Sequence, residues 1–365
     1  MKIGIVTQPL LGNYGGILQN YALQQTLIRL GHTPLTIDYV MTNSAWRYFR
    51  HSLKYRLRKL RGKLRANEVP PTRLRVRSQV MDGFVKRHIN TTDCVTKYSA
   101  EIISRHNLEA IVVGSDQVWR PKYNDSLEDM YLDFAKDCNI KRIAYAASFG
   151  VDRWEYNASQ AAHCKALAKR FNAISVREQS GEKLCSERLG VEATTVLDPT
   201  LLLNAADYGA LCCDIPTPKE KFLAVYLLKS HNKQHVEACH SFVEEVAKQR
   251  GLKIKYFTAD TADGISIEEW LATFRDAEMV ITESFHGTVF SILNHREFIT
   301  LGNASRGMAR LNTLLGALGI ADRLISPHNY NPEEIATIDY AEVDKRIADL
   351  RQHSIGFLEK AISDI

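Results

Sequence analysis

The sequence predicts an α/β protein whose parallel sheets are covered by crossover helices, and three observations support this fold class. Short apolar runs rich in β-branched residues alternate with helical patterns along nearly the whole chain. Several of these runs end directly in polar residues, as strands do at the ligand-binding edge of an open sheet. Residues 214–221 contain Pro216 and Pro218 and have linker composition, so the 365 residues divide into two blocks of ordinary domain size.

The first block opens with a strand, a turn and a helix. We predict the strand at residues 3–7, the turn at 12–16 and the helix at 17–30, with Gly31 as its end. Gln19 and Asn20, near the start of this helix, can hydrogen-bond a sugar or a phosphate in a cleft. Five further strands are predicted in this block, at residues 35–40, 110–113, 142–147, 173–176 and 194–197.

Polar residues follow three of these strands, and their positions predict a shared cleft. Asp116 can orient a sugar hydroxyl with Trp119 as an apolar platform, or it can cap a turn. Arg177 can bind a carboxylate through two parallel hydrogen bonds, or it can pair with Glu178. Asp198 precedes a proline and fits the N-cap position of a helix, which favours a structural role.

The second block repeats the alternation of strands and helices. Ser266 and Glu269 form a capping box for a helix that reaches Asp276. The last helix is amphipathic, and we expect it to pack back across the domain junction. Strands are predicted at residues 222–228, 253–257, 279–281 and 296–301, and further helices at 234–250, 309–318 and 340–362.

Residues 282–288 place His286 at the N-terminus of a predicted helix, directly after a strand. The first N–H groups of a helix are unpaired and attract a carboxylate or a phosphate, here beside a side chain that can move protons. Gly287 would let a ligand approach the backbone closely. The alternative interpretation is a structural histidine whose hydrogen bonds are satisfied within the fold.

Composition argues against several classes of protein. The N-terminal apolar run is too short for a signal peptide, and no segment is long enough to span a bilayer, so we expect a cytoplasmic protein. The seven cysteines form no C-x-x-C pair, which favours buried free thiols over disulfides or a zinc site. The dinucleotide-binding and P-loop fingerprints are also lacking. We therefore expect no cofactor and assign no metal-binding residues, and the sequence leaves a metal requirement open.

Residues 46–77 form a basic insertion. Residues 47–77 hold 12 of the 47 Lys and Arg residues but one of the 42 acids, so 35 bases and 41 acids remain elsewhere. Aromatic and leucine side chains are interleaved with the bases, a pattern that suits an anionic membrane surface or a position near phosphates. A solvated helical insertion is the simpler alternative. No helix-turn-helix, zinc or RNA-binding signature accompanies the charge, which argues against a nucleic-acid partner.

Six segments of the chain together resemble the polysaccharide pyruvyl transferase family. They are Gly12-Asn13-Tyr14-Gly15-Gly16, Leu18-Gln19-Asn20-Tyr21-Ala22-Leu23, Val113-Gly114-Ser115-Asp116-Gln117-Val118-Trp119, Ser175-Val176-Arg177-Glu178, Asp198-Pro199-Thr200-Leu201-Leu202 and Ser284-Phe285-His286-Gly287. The resemblance implies a GT-B-like pair of Rossmann-like domains that face a cleft. Residues 1–213 would form the acceptor-side domain, residues 214–335 the domain that carries His286, and residues 336–365 the C-terminal helix.

The family transfers an enolpyruvyl-derived group from phosphoenolpyruvate to a sugar and forms a cyclic pyruvate ketal, often in a capsular, exopolysaccharide or cell-wall glycan. The resemblance therefore implies phosphoenolpyruvate and a free or lipid-linked sugar as partners. By position, His286 matches the family's active-site histidine, and Arg177 matches an arginine associated with donor binding. Some members have an arginine where this chain has Ser284, so the phosphate must meet positive charge elsewhere. The residues expected to contact substrates are Asn13, Tyr14, Gly15, Gly16, Gln19, Ser115, Asp116, Gln117, Trp119, Glu178, Ser284, Gly287, Thr288 and Arg306.

Two other functions remain open at this point. A nucleotide-sugar glycosyltransferase would use the same two-domain plan with a uridine- or guanosine-type donor. A non-catalytic module would bind anionic glycans or membranes through the basic insertion and would have a degenerate cleft. If the acceptor is lipid-linked, the same insertion would hold the enzyme at the anionic inner face of the membrane.

Overall fold

The computed structural model describes residues 1–42, 45–63, 77–258, 264–303, 306–328 and 337–363. Its strands are Lys2–Val6 (β1), Thr33–Thr36 (β2), Ala110–Val113 (β3), Lys141–Ala147 (β4), Ala173–Val176 (β5), Thr194–Thr195 (β6), Phe222–Tyr226 (β7), Lys253–Phe257 (β8), Met279–Thr282 (β9), Glu297–Leu301 (β10) and Leu324–Ile325 (β11). They form two parallel sheets with the orders β2-β1-β3-β4-β5-β6 and β11-β10-β9-β7-β8, which confirms the predicted fold class.

Both faces of the first sheet are buried. Ala110 and Val112 of β3 enter one apolar cluster, whereas Ile111 and Val113 enter another, as alternating side chains of a strand require. The helices in the described ranges are Tyr14–Arg29 (α1), Ala45–Leu60 (α2), Gln79–His88 (α3), Ala100–His106 (α4), Ala158–Ala168 (α5), Gln179–Leu184 (α6), Ala205–Leu211 (α7), Lys233–Arg250 (α8), Ile267–Asp276 (α9), Phe285–Leu293 (α10), Ala309–Leu318 (α11) and Tyr340–Ser363 (α12).

Most predicted elements are confirmed, and β3, β5, β8 and α11 have the predicted bounds. The capping box at Ser266 is present. The turn predicted at residues 12–16 is wrong, because α1 begins at Tyr14. Asn13 takes an extended N-cap conformation and its carbonyl accepts a hydrogen bond from the Ile17 N–H at 3.0 Å, so Gly15 and Gly16 are helical. Strand β2 also lies earlier than the predicted residues 35–40.

Helix α12 contacts both sheet-bearing parts of the chain. Ser354 Oγ accepts a hydrogen bond from the Leu197 N–H at 3.0 Å, and the Arg351 guanidinium donates to the Leu201 carbonyl at 2.7 Å. At the other end of the helix, Asp344 pairs with His295 at 3.0 Å. These contacts join the region after β6 to the region before β10.

The basic insertion is described in part, since residues 64–76 and the side chains of residues 45–47 lie outside the described portion. Helix α2 contains no acid and exposes Phe49, Leu53, Leu57 and Leu60. Arg77 instead belongs to the first domain, because it pairs with Asp38 at 2.8 Å and with Asp82 at 3.0 Å. None of the helices in the described ranges combines the length and apolar character needed to cross a membrane.

Candidate active site

A cleft of about 610 Å³ lies between the two sheets, at the carboxyl ends of strands from both. This volume is within the range of small-molecule sites. The segments that follow β1 and β3 line one side, and those that follow β7, β9 and β10 line the other. The predicted cleft at the strand ends is therefore present, and its polar lining includes Asn13, Asp116, Gln117, Lys122, Glu283, Ser284, His286, Asn303, Arg306 and Arg310.

The N-termini of two helices face each other across this cleft. Asn13 is the N-cap of α1, and Ser284 is the N-cap of α10, where its hydroxyl accepts a hydrogen bond from the Gly287 N–H at 3.3 Å. The ring of His286 packs directly on the first turn of α1, because an ideal Cβ placed on Gly15 would lie 1.9 Å from His286 Nδ1. Gly15 is therefore the residue that lets this helix approach the histidine.

Asp198 lies beside His286 and is 1% exposed. Its Oδ2 is 3.7 Å from His286 Nε2 and 2.7 Å from an Arg177 nitrogen, and its Oδ1 accepts the Thr200 N–H at 2.9 Å. Burial alone would raise the pKa of Asp198, but the charges and hydrogen bonds of Arg177, His286 and Thr200 outweigh burial and hold this pKa well below its ordinary value. A permanently charged carboxylate therefore faces the imidazole.

The structure places Arg177 beneath the cleft. Its side chain is 1% exposed, one nitrogen binds Asp198 and the Ser115 hydroxyl, and the Phe285 ring covers it at 5.0 Å. Its Nε and Nη1 have no hydrogen-bond partner among the described residues, and Nη1 lies 3.8 Å from the carboxylate of Asp116, which lines the cleft, so the donor-binding role of Arg177 stays a prediction. Arg310 also contacts Phe285, with its guanidinium carbon 5.7 Å from the ring centre, and lines the cleft. Burial and the neighbouring Arg177 lower the pKa of Arg310 from its ordinary value.

Glu178 turns away from Arg177 and organises the backbone after β4. Its Oε1 accepts hydrogen bonds from the Ser148 hydroxyl at 3.1 Å and from the Phe149 and Gly150 N–H groups at 2.8 and 3.0 Å. Burial raises the pKa of Glu178, with the charge of Arg310 opposing it. Glu178 therefore has a structural role. In the described part of the chain, the structure shows neither the predicted contact with substrate nor the alternative pairing of Glu178 with Arg177.

A profile of the polysaccharide pyruvyl transferase family matches residues 13–305, which include all the cleft residues from Asn13 to Asn303 described above. The chain belongs to the polysaccharide pyruvyl transferase family. No match is found among curated proteins.

One solved structure shows the same fold as this pyruvyl transferase, and others are less similar. S. aureus MnaA in a co-structure with UDP is 8% identical, with 100% of this chain and 88% of that chain covered and a TM-score of 0.53. A glycosyltransferase from Rickettsia africae is 12% identical, with 100% of this chain and 99% of that chain covered and a TM-score of 0.48. The E. coli heptosyltransferase WaaC with ADP is 11% identical, with 96% of this chain and 100% of that chain covered and a TM-score of 0.42. The first of these likenesses supports the GT-B-like arrangement of two Rossmann-like domains.

Several residues that the sequence places in the pyruvyl transferase site are instead core residues. Trp119 is fully buried, stacks on Tyr131 at 4.7 Å and donates its indole N–H to the Met130 carbonyl, so it offers no platform to a sugar. Tyr14 stacks on Trp270 at 5.5 Å and donates its hydroxyl to the Ile265 carbonyl. These aromatic rings stabilise the walls of the cleft rather than line it.

Four other residues that were predicted to contact substrate make their contacts within the protein instead. Gln19 bridges the Ser115 N–H and the Thr7 hydroxyl, both at 2.9 Å. The Thr288 hydroxyl binds that of Thr300. Gly287 lies against β9, where an added Cβ would be 2.4 Å from a Thr282 oxygen, so the glycine serves helix packing and not ligand approach. Gly16 packs on the Asn13 side chain.

Asp116 remains at the cleft and is held in a left-handed backbone conformation with φ of 76°. Its carboxylate caps the Gln117 N–H at 2.8 Å and lies 3.8 Å from Arg177 and 3.9 Å from Arg310. Asp116 therefore caps a turn, as the second interpretation supposed. Its carboxylate also lines the cleft, and its orientation of a sugar hydroxyl stays a prediction. The cleft residues to which the sequence analysis gave no role include Lys122, Tyr123 and Glu283. The first two lie in a 3₁₀ helix without a motif, and Glu283 lies next to the Ser284–Gly287 motif.

We expect the substitution Gly15→Ala to reduce turnover by roughly a hundredfold. A Cβ cannot lie 1.9 Å from an imidazole nitrogen, so the ring of His286 must shift, and a displacement of about 1 Å is enough for an effect of this size. Steady-state turnover would measure it. Gly316→Ala is the matched control, because it lies in α11 with nothing within 4 Å, and its turnover should not change. Full activity of Gly15→Ala would contradict the packing of His286 on α1.

Proposed function

We propose that this pyruvyl transferase uses phosphoenolpyruvate to build a cyclic pyruvate ketal on a sugar of a capsular, exopolysaccharide or cell-wall glycan. The observation that carries the proposal is a histidine at a helix N-terminus, backed by a buried charged carboxylate, in a cleft that Lys122, Arg306 and Arg310 line. Positive charge of this kind can bind a donor that carries both a carboxylate and a phosphate, and the histidine can transfer a proton.

The reaction balances without a redox partner. A proton added to the methylene carbon of phosphoenolpyruvate turns it into a methyl group and makes C2 electrophilic. One sugar hydroxyl adds to C2 and loses its proton. A second hydroxyl of the same sugar then bonds to C2 and gives its proton to the departing phosphate, as the C2–O bond to phosphate breaks and phosphate leaves with the electron pair.

In this proposal His286 donates and accepts the protons. Asp198, whose carboxylate lies 3.7 Å from Nε2, stabilises the imidazole electrostatically while the ring carries a proton. Arg310 and the N–H groups at the starts of α1 and α10 attract the donor carboxylate and phosphate, with Arg306 and Lys122 at the cleft wall. Arg177 acts indirectly, because it keeps Asp198 charged and fixed.

The test is release of phosphate from phosphoenolpyruvate in the presence of galactose-, glucose- and mannosamine-type acceptors, both free and lipid-linked. We expect release that depends on one acceptor class, and a product whose mass corresponds to one added ketal. Transfer from a uridine or guanosine nucleotide sugar instead would show a glycosyltransferase. Glycan binding without turnover of any donor would show a binding module.

We also propose that α2 holds the enzyme at an anionic membrane surface, where a lipid-linked acceptor would lie. Phe49, Leu53, Leu57 and Leu60 are 66, 49, 44 and 84% exposed and recur every three or four residues, so they form one apolar face. The same helix carries six Lys or Arg residues and no acid. An exposed apolar stripe beside unopposed bases is the pattern of an interfacial helix.

Neutralising Arg56, Arg58, Lys59 and Arg61 to Gln should weaken binding to anionic vesicles roughly a hundredfold or more, since each base near such a surface contributes about 1 kcal/mol. Co-sedimentation with vesicles that contain phosphatidylglycerol would measure the loss, and neutral vesicles should bind neither protein. The control neutralises four exposed bases elsewhere, namely Lys169, Arg188, Lys219 and Lys248. Equal binding of the α2 variant and wild type would refute the proposal.

A further inference from the structure

Three side chains of metal-binding type converge beside the cleft. His235 and Cys239 lie one turn apart on α8, and Glu283 follows β9, three residues before His286. Their ligand atoms all lie within 4.8 Å of one another, and each residue is less than one tenth exposed. His235 Nε2 is 2.7 Å from Glu283 Oε1 and 3.5 Å from Cys239 Sγ.

One proton satisfies this arrangement only in part. If His235 Nε2 carries a proton, it can donate to Glu283, to which the Asn303 amide also donates at 3.0 Å, but it then has no lone pair for the Cys239 thiol. If Nε2 lacks a proton, its lone pair faces a carboxylate oxygen at 2.7 Å. One cation at the centre of the three groups would satisfy all of them at once.

The spacing also fits a small tetrahedral ion. Zn²⁺ binds nitrogen and oxygen at about 2.0 to 2.2 Å and sulfur at about 2.3 Å, which sets nitrogen and sulfur about 3.6 Å apart. The observed separation of His235 Nε2 and Cys239 Sγ is 3.5 Å. The same geometry sets nitrogen and oxygen about 3.4 Å apart, so Glu283 Oε1 would have to move about 0.7 Å away from His235 Nε2 when the ion binds.

We propose that His235, Cys239 and Glu283 bind a divalent transition-metal ion of the zinc class. An imidazole and a thiolate select such ions over Mg²⁺ and Ca²⁺, which prefer oxygen alone. Glu283 and Asn303 also line the cleft, so a fourth ligand enters from that side, either the Asn303 carboxamide oxygen after rotation of the amide or a water molecule. The absence of a C-x-x-C pair does not bear on this site, because two of its ligands come from one helix turn and the third from a strand end.

Such an ion would tie α8 to the turn that carries Ser284 and His286. Without a metal, Glu283 is held by the Leu228 N–H at 3.0 Å and by Asn303 at 3.0 Å. Metal binding displaces the proton of the Cys239 thiol. The ion would therefore act as a positioning element for the catalytic turn.

The test is metal binding by the full chain after treatment with a chelator and a reductant. Equilibrium dialysis should give one Zn²⁺ per chain and no retained Mg²⁺. Co²⁺ in place of Zn²⁺ should give a thiolate-to-cobalt charge-transfer band. Cys239→Ala should lose that band and weaken Zn²⁺ binding at least a hundredfold, whereas Cys164→Ala, another buried free thiol, should keep both.

His235→Gln provides a second variant should Cys239→Ala fail to fold, and it should also weaken Zn²⁺ binding at least a hundredfold. No Zn²⁺ uptake by wild type, or Co²⁺ uptake without the charge-transfer band, would overturn the proposal. So would equal Zn²⁺ affinity in wild type and in the folded variants. These measurements involve no turnover, so their outcome is independent of the proposed pyruvyl transfer.

Discussion

Replacing His286 with alanine is expected to abolish pyruvyl transfer and to leave the fold intact. The imidazole is the group at the helix N-terminus that can move protons, and general acid–base catalysis by one side chain contributes about 10² to 10⁴ in rate. The ring lies at the edge of the core and is 6% exposed, and its loss leaves Asp198 still paired with Arg177. Phosphate release from phosphoenolpyruvate with the preferred acceptor measures the effect, and circular dichroism measures the fold.

His295→Ala is the matched control for this substitution. Its side chain is about half exposed and pairs with Asp344 on the surface, far from the cleft lining. We expect its turnover to equal that of wild type. Turnover near the wild-type level in folded His286→Ala would refute the catalytic role. It would show that the histidine is structural.

The substitution Asp198→Asn is expected to lower the free energy of unfolding by about 3 to 5 kcal/mol. Arg177 is 1% exposed on its side chain, and the substitution leaves that guanidinium without its ion-pair partner in a buried site. Asparagine has nearly the same shape as aspartate and can still accept the hydrogen bond from the Thr200 N–H. The loss of unfolding free energy therefore measures the removed charge and not a change in side-chain volume. Urea unfolding at neutral pH measures it.

The acid dependence of stability should change in the same variant. The folded-state pKa of Asp198 is depressed, so its contribution to stability is complete above its ordinary pKa of about 4 and is lost as the pH falls towards the folded-state pKa. Wild type should therefore lose stability below about pH 4 more steeply than Asp198→Asn. Asp344→Asn, at a half-exposed surface pair, should match wild type in both measurements. A loss below 1 kcal/mol in Asp198→Asn would show that Arg177 finds another partner.

Local patterns predict the elements of this fold well. The apolar runs at Ala110–Val113 and Lys253–Phe257 and the capping box at Ser266 appear in the structure as expected. The position of His286 at a strand-to-helix turn also follows from the sequence, because an apolar run and a helical pattern meet there. These features depend on periods of two and 3.6 residues and on side chains that bond to nearby backbone.

The orientation of side chains at the strand ends does not follow from local patterns. Trp119 and Arg177 both follow strands, yet the first packs on Tyr131 and the second binds Asp198. Arg310 reaches the cleft although nothing around it in the sequence marks a site. In each case the deciding partner comes from another part of the chain, so the sequence offered two roles and could not choose between them.

The sequence by itself determined the α/β class, the approximate positions of most strands in the described residues and the position of His286, because each depends on residues within a few positions of one another. Only the tertiary structure decided that Gly15 lies under the ring of His286 and that Asp198 faces its Nε2. It also decided that His235, Cys239 and Glu283 converge. The physical reason is that parallel sheets bring strand ends from distant segments to one edge, and burial there fixes which charged groups must pair.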